Sequence, residues 1–361
     1  MIRLLRGITA PRAGWLAALT VFLACPAWSQ DQQDWAFIAP LASSNALILD
    51  AASVDGHIVA VGERGIILTS DDNGASWKQS PVPTSAVLTA VYMYDRDLGW
   101  AVGHDSVVLK TTDGGDTWTV THFAPELEQP LFDVWFADAD NGLAVGAYGY
   151  VLVSNDGGDT WQESSLDARE LDAAIVEEPA DAEAEVEADA DDGEFFDDAD
   201  SWKDDIPADY HLNALAQSGD QLFIGAERGN IYRSADQGQS WVLLPSFYPG
   251  SFFGAFATSQ GDLYVMGLTG HLFRSRDGGL TWDKIETGVE TSLNAAAELS
   301  DGTLVVIGMS GTLLVSRDNG ESFELVQQAN RKALTGVLPT GDGGLLLLGE
   351  AGAVKLNSGE F

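Results

Sequence analysis

Ser154-Asn155-Asp156-Gly157-Gly158-Asp159-Thr160-Trp161 decides how the rest of the chain is read. The pattern, hydroxyl-x-Asp-x-Gly-x-x-aromatic, returns at Ser70 to Trp77, Thr111 to Trp118, Ser234 to Trp241, Ser275 to Trp282 and Ser316 to Phe323. A short apolar run leads each copy. The steps between Asp72, Asp113, Asp156, Asp236, Asp277 and Asp318 are 41, 43, 80, 41 and 41 residues. A period near 41 with one doubled step describes a repeated unit carrying one insertion. A unit of that size holds the four short strands of a β-propeller blade.

Each aspartate is placed in the hairpin between the third and fourth strands, where a carboxylate can accept N–H groups that the turn leaves unpaired. The glycine two residues on supplies the positive φ such a turn asks for. The rings that end the copies, Trp77, Trp118, Trp161, Trp241, Trp282 and Phe323, open the outer strand and wedge against a neighbouring blade. The turns lack the dense alternating ligands of a calcium loop, so they are read as structural, and neither metal nor cofactor is expected.

A second marker is the turn between strands two and three. It reads Gly62-Glu63-Arg64-Gly65 in the first unit and recurs at Gly103, Gly146, Ala226, Gly267, Gly308 and Gly349. That makes seven, so the expected fold is all-β, a seven-bladed propeller of four-stranded antiparallel blades. The seventh unit runs out at Phe361 without an aspartate turn. Trp35 precedes Trp77 by 42 residues, so Asp34 to Ile38 is expected to supply the missing outer strand and close the ring.

Gly99-Trp100-Ala101-Val102-Gly103 followed by Val107 to Trp118 resembles the repeat of the photosystem II stability/assembly-factor family over nearly the whole chain after its first segment. The aspartate motif itself is similar to the Asp-box, or BNR repeat, which sialidases also carry. The resemblance implies a soluble propeller that holds membrane-protein subunits while a complex is built. That family meets its client with a positive arginine patch. Such a motif is evidence for a fold before it is evidence for an activity.

Residues 1–29 read as a secretory signal. Arg3, Arg6 and Arg12 precede an apolar run from Gly14 to Ala24 that is too short to span a bilayer, and Ala27-Trp28-Ser29 fits a cleavage site. The remainder, 30–361, is expected as one exported, periplasmic, monomeric propeller. Cys25, the single cysteine, lies inside the signal, and Phe22-Leu23-Ala24 before it is a poor acylation motif.

Between the third and fourth units, residues 166–208 differ in composition. From Asp167 to Asp209 there are 19 Asp or Glu against Arg169 and Lys203, a net of −17 within a chain total of −37. Such a stretch is expected to be disordered. Phe195, Phe196 and Trp202 interrupt it and read as a docking segment, or alternatively as part of a solvated spacer or a locally packed strand. The overall charge argues against nucleic acid and anionic lipid as partners.

In a propeller whose first strand is innermost, the strand two-to-three turns and the connections between blades share a face. Arg64, His104, Tyr148 and Arg228 fall on it, with Phe247 and Tyr248 in the connection Pro245 to Phe253. Arg64 and Arg228 suit a partner's carboxylate, or pair with the neighbouring Glu63 and Glu227. Phe247 and Tyr248 suit recognition, or cap a blade edge; Phe252 and Phe253 are expected in the core.

A sialidase-like hydrolase needs several arginines around a substrate carboxylate together with a Tyr–Glu pair. The Arg-Ile-Pro start of sialidases is missing, the histidines have no metal-ligand spacing, and no phosphate loop or nucleophile elbow is present. No catalytic residue is assigned. The expected function is a non-catalytic scaffold for a membrane protein complex. The alternatives are a periplasmic accessory protein of an efflux-type transporter, a sialidase-like glycoside hydrolase, and a carbohydrate or peptide binder.

Overall fold

The structure, a computed structural model, describes residues 35–39, 42–166, 168–170 and 210–361. The expected signal with Cys25 lies outside these, as do Phe195, Phe196 and Trp202. Seven antiparallel sheets follow one another along the chain. Their innermost strands are Ile48–Val54, Leu88–Met93, Leu131–Phe136, Leu212–Ser218, Phe252–Ala257, Leu293–Glu298 and Leu334–Pro339. The second strand of each blade is buried along all or nearly all of its length, as in Gly99–Gly103 and Leu345–Gly349, because neighbouring blades cover both its faces. The near-continuous apolar sequence of these strands follows from that burial. The seven-bladed propeller is therefore as the repeats imply.

The last blade departs from expectation. Among the described residues it has three strands, ending with Gly352–Leu356. The segment expected as its fourth strand runs beside blade one instead: the Ala36 N–H donates to the Val82 carbonyl, and the Gln79 side chain bonds the backbone of Phe37 and Ala39. A short helix, Ala42–Asn45, then packs with Leu346, Leu348 and Ala353 of blade seven. Phe361 joins the cluster of Val305, Ile307 and Leu313 in blade six, the kind of place the other units fill with the ring of the aspartate turn. The doubled step also begins with order, since Ala168–Glu170 pairs in parallel with Trp241–Leu243 as a fifth strand of blade four.

Side chains lace the innermost strands into a ring. Thr89 donates to the Leu131 carbonyl, Asn213 to that of Phe252, Asn294 to that of Leu334, and Thr335 to that of Ile48, all at 2.7–2.8 Å. The last of these closes the circle between blades seven and one. Blades one and three carry apolar Leu49 and Phe132 at that position. There the next residue takes over: Asp50 accepts the Val91 N–H at 2.9 Å, and Asp133 accepts the Leu215 N–H at 2.7 Å. From blade five to blade six the tie lies further along, where Glu298 accepts both the N–H and the hydroxyl of Ser259.

Candidate functional site

The six aspartate turns share one geometry. In the third blade Asp156 accepts the Thr160 N–H at 2.9 Å, the Thr160 hydroxyl at 2.6 Å and the Ser154 hydroxyl at 2.8 Å. The Gly158 N–H returns to the Ser154 oxygen. Those donors hold the Asp156 carboxyl down at about 2, the Thr160 hydroxyl first among them; Asp72 and Asp318 are held at the same level by Ser76 and Ser322. Gly158 stands at φ +78, close to its equivalents in the other turns, and a Cβ there would fall on the Trp100 indole of the preceding blade. Trp118 packs on Val59, Val61 and Ile67 of the preceding blade, and Trp282 on Phe223 and Ile231. These turns clamp one blade to the next, as the sequence implies.

On the lower face, which carries the aspartate turns, the arginines are bonded within the fold. A groove of about 470 Å³ opens there between blades one and two, but Lys78 bonds Asp116, and Arg96 and His57 both bond Asp71. Arg233 donates to the Gly278 carbonyl, Arg274 to Asp262 and Glu321, Arg276 to Asp283 and Glu321, and Arg317 to the Phe361 carbonyl.

The upper face carries the strand two-to-three turns. In the first six the third residue of the turn is left-handed: Arg64, Asp105, Tyr148, Arg228, Thr269 and Ser310 have φ between 51° and 59°. Where a glycine follows, it is packed against an incoming connection; a Cβ on Gly65 would meet the Thr84 carbonyl, and one on Gly229 the Tyr248 carbonyl. Connections and turns thus share this face, as expected. A left-handed conformation costs a non-glycine residue about 1 kcal/mol, and such strain concentrates where side chains are needed for display.

Arg64 and Arg228 do not pair with the glutamates beside them. Glu63 accepts the Leu47 N–H at 3.0 Å and Glu227 the His211 N–H at 3.2 Å, so both carboxylates anchor the start of their blade. Arg64 is exposed with no ion pair among the described residues, and Arg228 lies over the Tyr210 ring at 5.2 Å. Arg331, in the connection from blade six to seven and against the Gly311 turn, is likewise exposed and unpaired among the described residues. Tyr148 is 54% exposed, and His104 is exposed beside Asp105.

Phe247 and Tyr248 are engaged within the fold. Phe247 stacks on Trp282 at 5.1 Å, and the Tyr248 hydroxyl bonds His271 at 3.0 Å, so both largely cap the edge of blade five. Phe252 is in the core as expected, whereas Phe253 is 38% exposed at the innermost-strand position held by Phe132 in blade three. Three residues of this face have no signal in the repeat pattern: Phe132, Tyr210 and His211.

Two further carboxylates are unusual. Burial pushes Asp50 up to about 6, and burial together with the charge of Asp50 pushes Asp133 up to about 7. Their side chains are partly open by accessible area yet surrounded by protein, as expected of groups lining the space inside the seven innermost strands.

No family model matches the sequence. Over 47 residues the chain is 49% identical to the chloroplastic photosystem II stability/assembly factor HCF136 of Cyanidioschyzon merolae, a stretch that spans 12% of this chain and 11% of that protein. The structure of YCF48 bound to D1 peptide superposes with a TM-score of 0.64 at 18% identity, covering 90% of this chain and 97% of that one. YCF48 from Cyanidioschyzon merolae gives 0.63 at 15% identity, covering 90% and 98%. A virginiamycin B lyase from Staphylococcus aureus gives 0.66 at 11% identity, covering 88% and 96%, so the fold also accommodates enzymes. The chain is a seven-bladed propeller that resembles the photosystem II assembly factors in fold along nearly its whole length and in sequence over one short stretch.

Proposed function

We propose that this chain is a non-catalytic, exported scaffold that uses its upper face to hold a carboxylate-bearing segment of a protein partner. One observation carries the reading. The arginines of the lower face are each bonded to a carboxylate or a carbonyl, whereas Arg64, Arg228 and Arg331 on the upper face bond neither among the described residues. A guanidinium presents a planar fork of donors that a carboxylate matches. The likeness to YCF48, whose structure holds a D1 peptide, supports a peptide segment as the ligand.

The partner belongs to a membrane complex met from the periplasmic side, whether an assembly intermediate or an efflux-type transporter. The signal-like start supports that compartment, and the acidic stretch from Asp167 to Asp209 supports a partner with basic surface around the bound segment. The test is an affinity pull-down from solubilised envelope with the full chain and an Arg64→Glu, Arg228→Glu, Arg331→Glu variant. Membrane proteins retained at low salt by the first and lost by the second support the reading. Equal retention by both would sink it.

A further inference from the structure

Phe132, like Leu49 in blade one and Phe253 in blade five, puts an apolar side chain at the lacing position of the innermost strands. Its counterparts Thr89, Asn213, Asn294 and Thr335 each tie one blade to the next, and Asp133 performs that task for blade three. The Phe132 ring lies 5.6 Å from the His211 imidazole instead. Tyr148 meets the same imidazole edge-on, with centroids 4.9 Å apart at 83°.

The backbone under these rings is fixed from two blades. The Gly149 N–H of blade three donates to the Tyr210 carbonyl at 2.9 Å, and the His211 N–H donates to Glu227 of blade four at 3.2 Å. Arg228 rests over the Tyr210 ring, which orients its guanidinium, and its donors meet no acceptor among the described residues. The result is an aromatic wall beside a cation, standing on the consecutive residues Tyr210 and His211. Because these two residues are consecutive, the two features lie close enough for one short segment to reach both.

Resting on the reading of the upper face given above, we propose that Phe132, Tyr148, Tyr210, His211 and Arg228 form a cradle for an aromatic residue adjacent to a single carboxylate in a partner's extended segment. The ring packs on Tyr148 and His211, and the carboxylate is held by Arg228. The remainder of the segment is neutral or basic, because a chain of net charge −37 repels a ligand acidic throughout. Tyr148 keeps a left-handed φ of 55° where glycine would be relaxed, which places its ring over the cradle.

Three fluorescein-labelled heptapeptides test this on the full chain by fluorescence polarisation: Lys-Gly-Phe-Asp-Gly-Gly-Lys, the same with Ala for Phe, and the same with Asn for Asp. The first is expected to bind roughly tenfold more tightly than either other. Tyr148→Ala removes the preference for Phe over Ala, Tyr148→Phe retains it, and Arg228→Ala removes the preference for Asp over Asn. Melting curves confirm that the variants fold, as Tyr148 and Arg228 are surface side chains. Equal binding of the Phe and Ala probes overturns the cradle, and a surviving Asp preference would then leave the arginine face standing. Binding of none of the probes overturns the cradle as well, with the envelope pull-down deciding the broader reading separately.

Discussion

Asp50 and Val91 are joined across the first blade junction, the Asp50 carboxylate accepting the Val91 N–H at 2.9 Å. Asp133 does the same for Leu215 two blades further on. At these two junctions Leu49 and Phe132 stand where a hydroxyl or amide performs the task in blades two, four, six and seven. A carboxylate buried for this purpose is a costly acceptor, since its charged form loses hydration.

That burial has a pH signature. With Asp50 raised to about 6 and Asp133 to about 7 from an ordinary 3.8, the folded chain binds protons more tightly than the unfolded one. Their contribution is full below about pH 4 and is lost as pH rises through 6 and 7. Because both side chains are partly open, the loss is discounted to on the order of 1–2 kcal/mol each. The aspartate turns act oppositely: held at about 2, Asp72, Asp156 and Asp318 stabilise above pH 3.8 and cease to as pH falls through 2. Melting temperature should therefore peak between roughly pH 4 and 6 and fall toward pH 8. In an Asp50→Asn, Asp133→Asn variant, which keeps an acceptor without the charge, the alkaline fall should flatten. A wild-type melting temperature constant from about pH 5 to pH 8 would show that neither group titrates there.

The aspartate turns should hold without metal. Both oxygens of Asp156 are engaged by Thr160 and Ser154, which leaves no ligand set for a cation. Chelation with EDTA is expected to leave the melting temperature unchanged, while Asp156→Ala should lower it by leaving turn donors unpaired. A large EDTA-induced drop would reverse the structural reading of all six turns.

Gly158 and Gly288 separate crowding from strain. Both have positive φ, at 78° and 68°, but a Cβ on Gly158 would strike Trp100 whereas one on Gly288 meets nothing within 4 Å. Gly288→Ala should cost about 1 kcal/mol and Gly158→Ala at least about 3 kcal/mol by chemical denaturation, because the second also prises blades two and three apart. Similar costs would mean that the Trp100 contact yields easily.

The repeat is legible in the sequence because its motif records turn chemistry: a carboxylate, a hydroxyl and a positive-φ glycine at fixed offsets describe a bonded loop whatever surrounds it. The blade number follows from the Gly62-type turns for the same reason. The closing strand is misplaced by the same reading because a spacing of 42 residues from Trp35 to Trp77 fixes a phase and not a partner; the Gln79 amide and the Val82 carbonyl capture that backbone first. Phe247 and Tyr248 look like recognition residues in the sequence because their partners Trp282 and His271 come from the next blade. Phe132 and His211 are some eighty positions apart in the chain and meet only through the ring of blades, so nothing local announces them.

Arg64 and Arg228 should trade stability for binding. Each occupies a left-handed position, φ 56° and 55°, with no carboxylate partner among the described residues to offset the strain. Glycine accepts that conformation without steric penalty but loses more backbone freedom on folding, so Arg64→Gly and Arg228→Gly should change stability by less than about 1 kcal/mol and in the stabilising direction. Where the side chains serve only the fold, the double variant would bind partners like the wild type. As the residues that meet a partner's carboxylate, they should instead lower retention of envelope proteins several-fold when removed, with the deficit shrinking as salt rises and screens the lost charge in the wild type. Chemical denaturation and the pull-down on the same preparations give both numbers. A destabilised variant with unchanged retention would place Arg64 and Arg228 in the structure and remove them from the binding face.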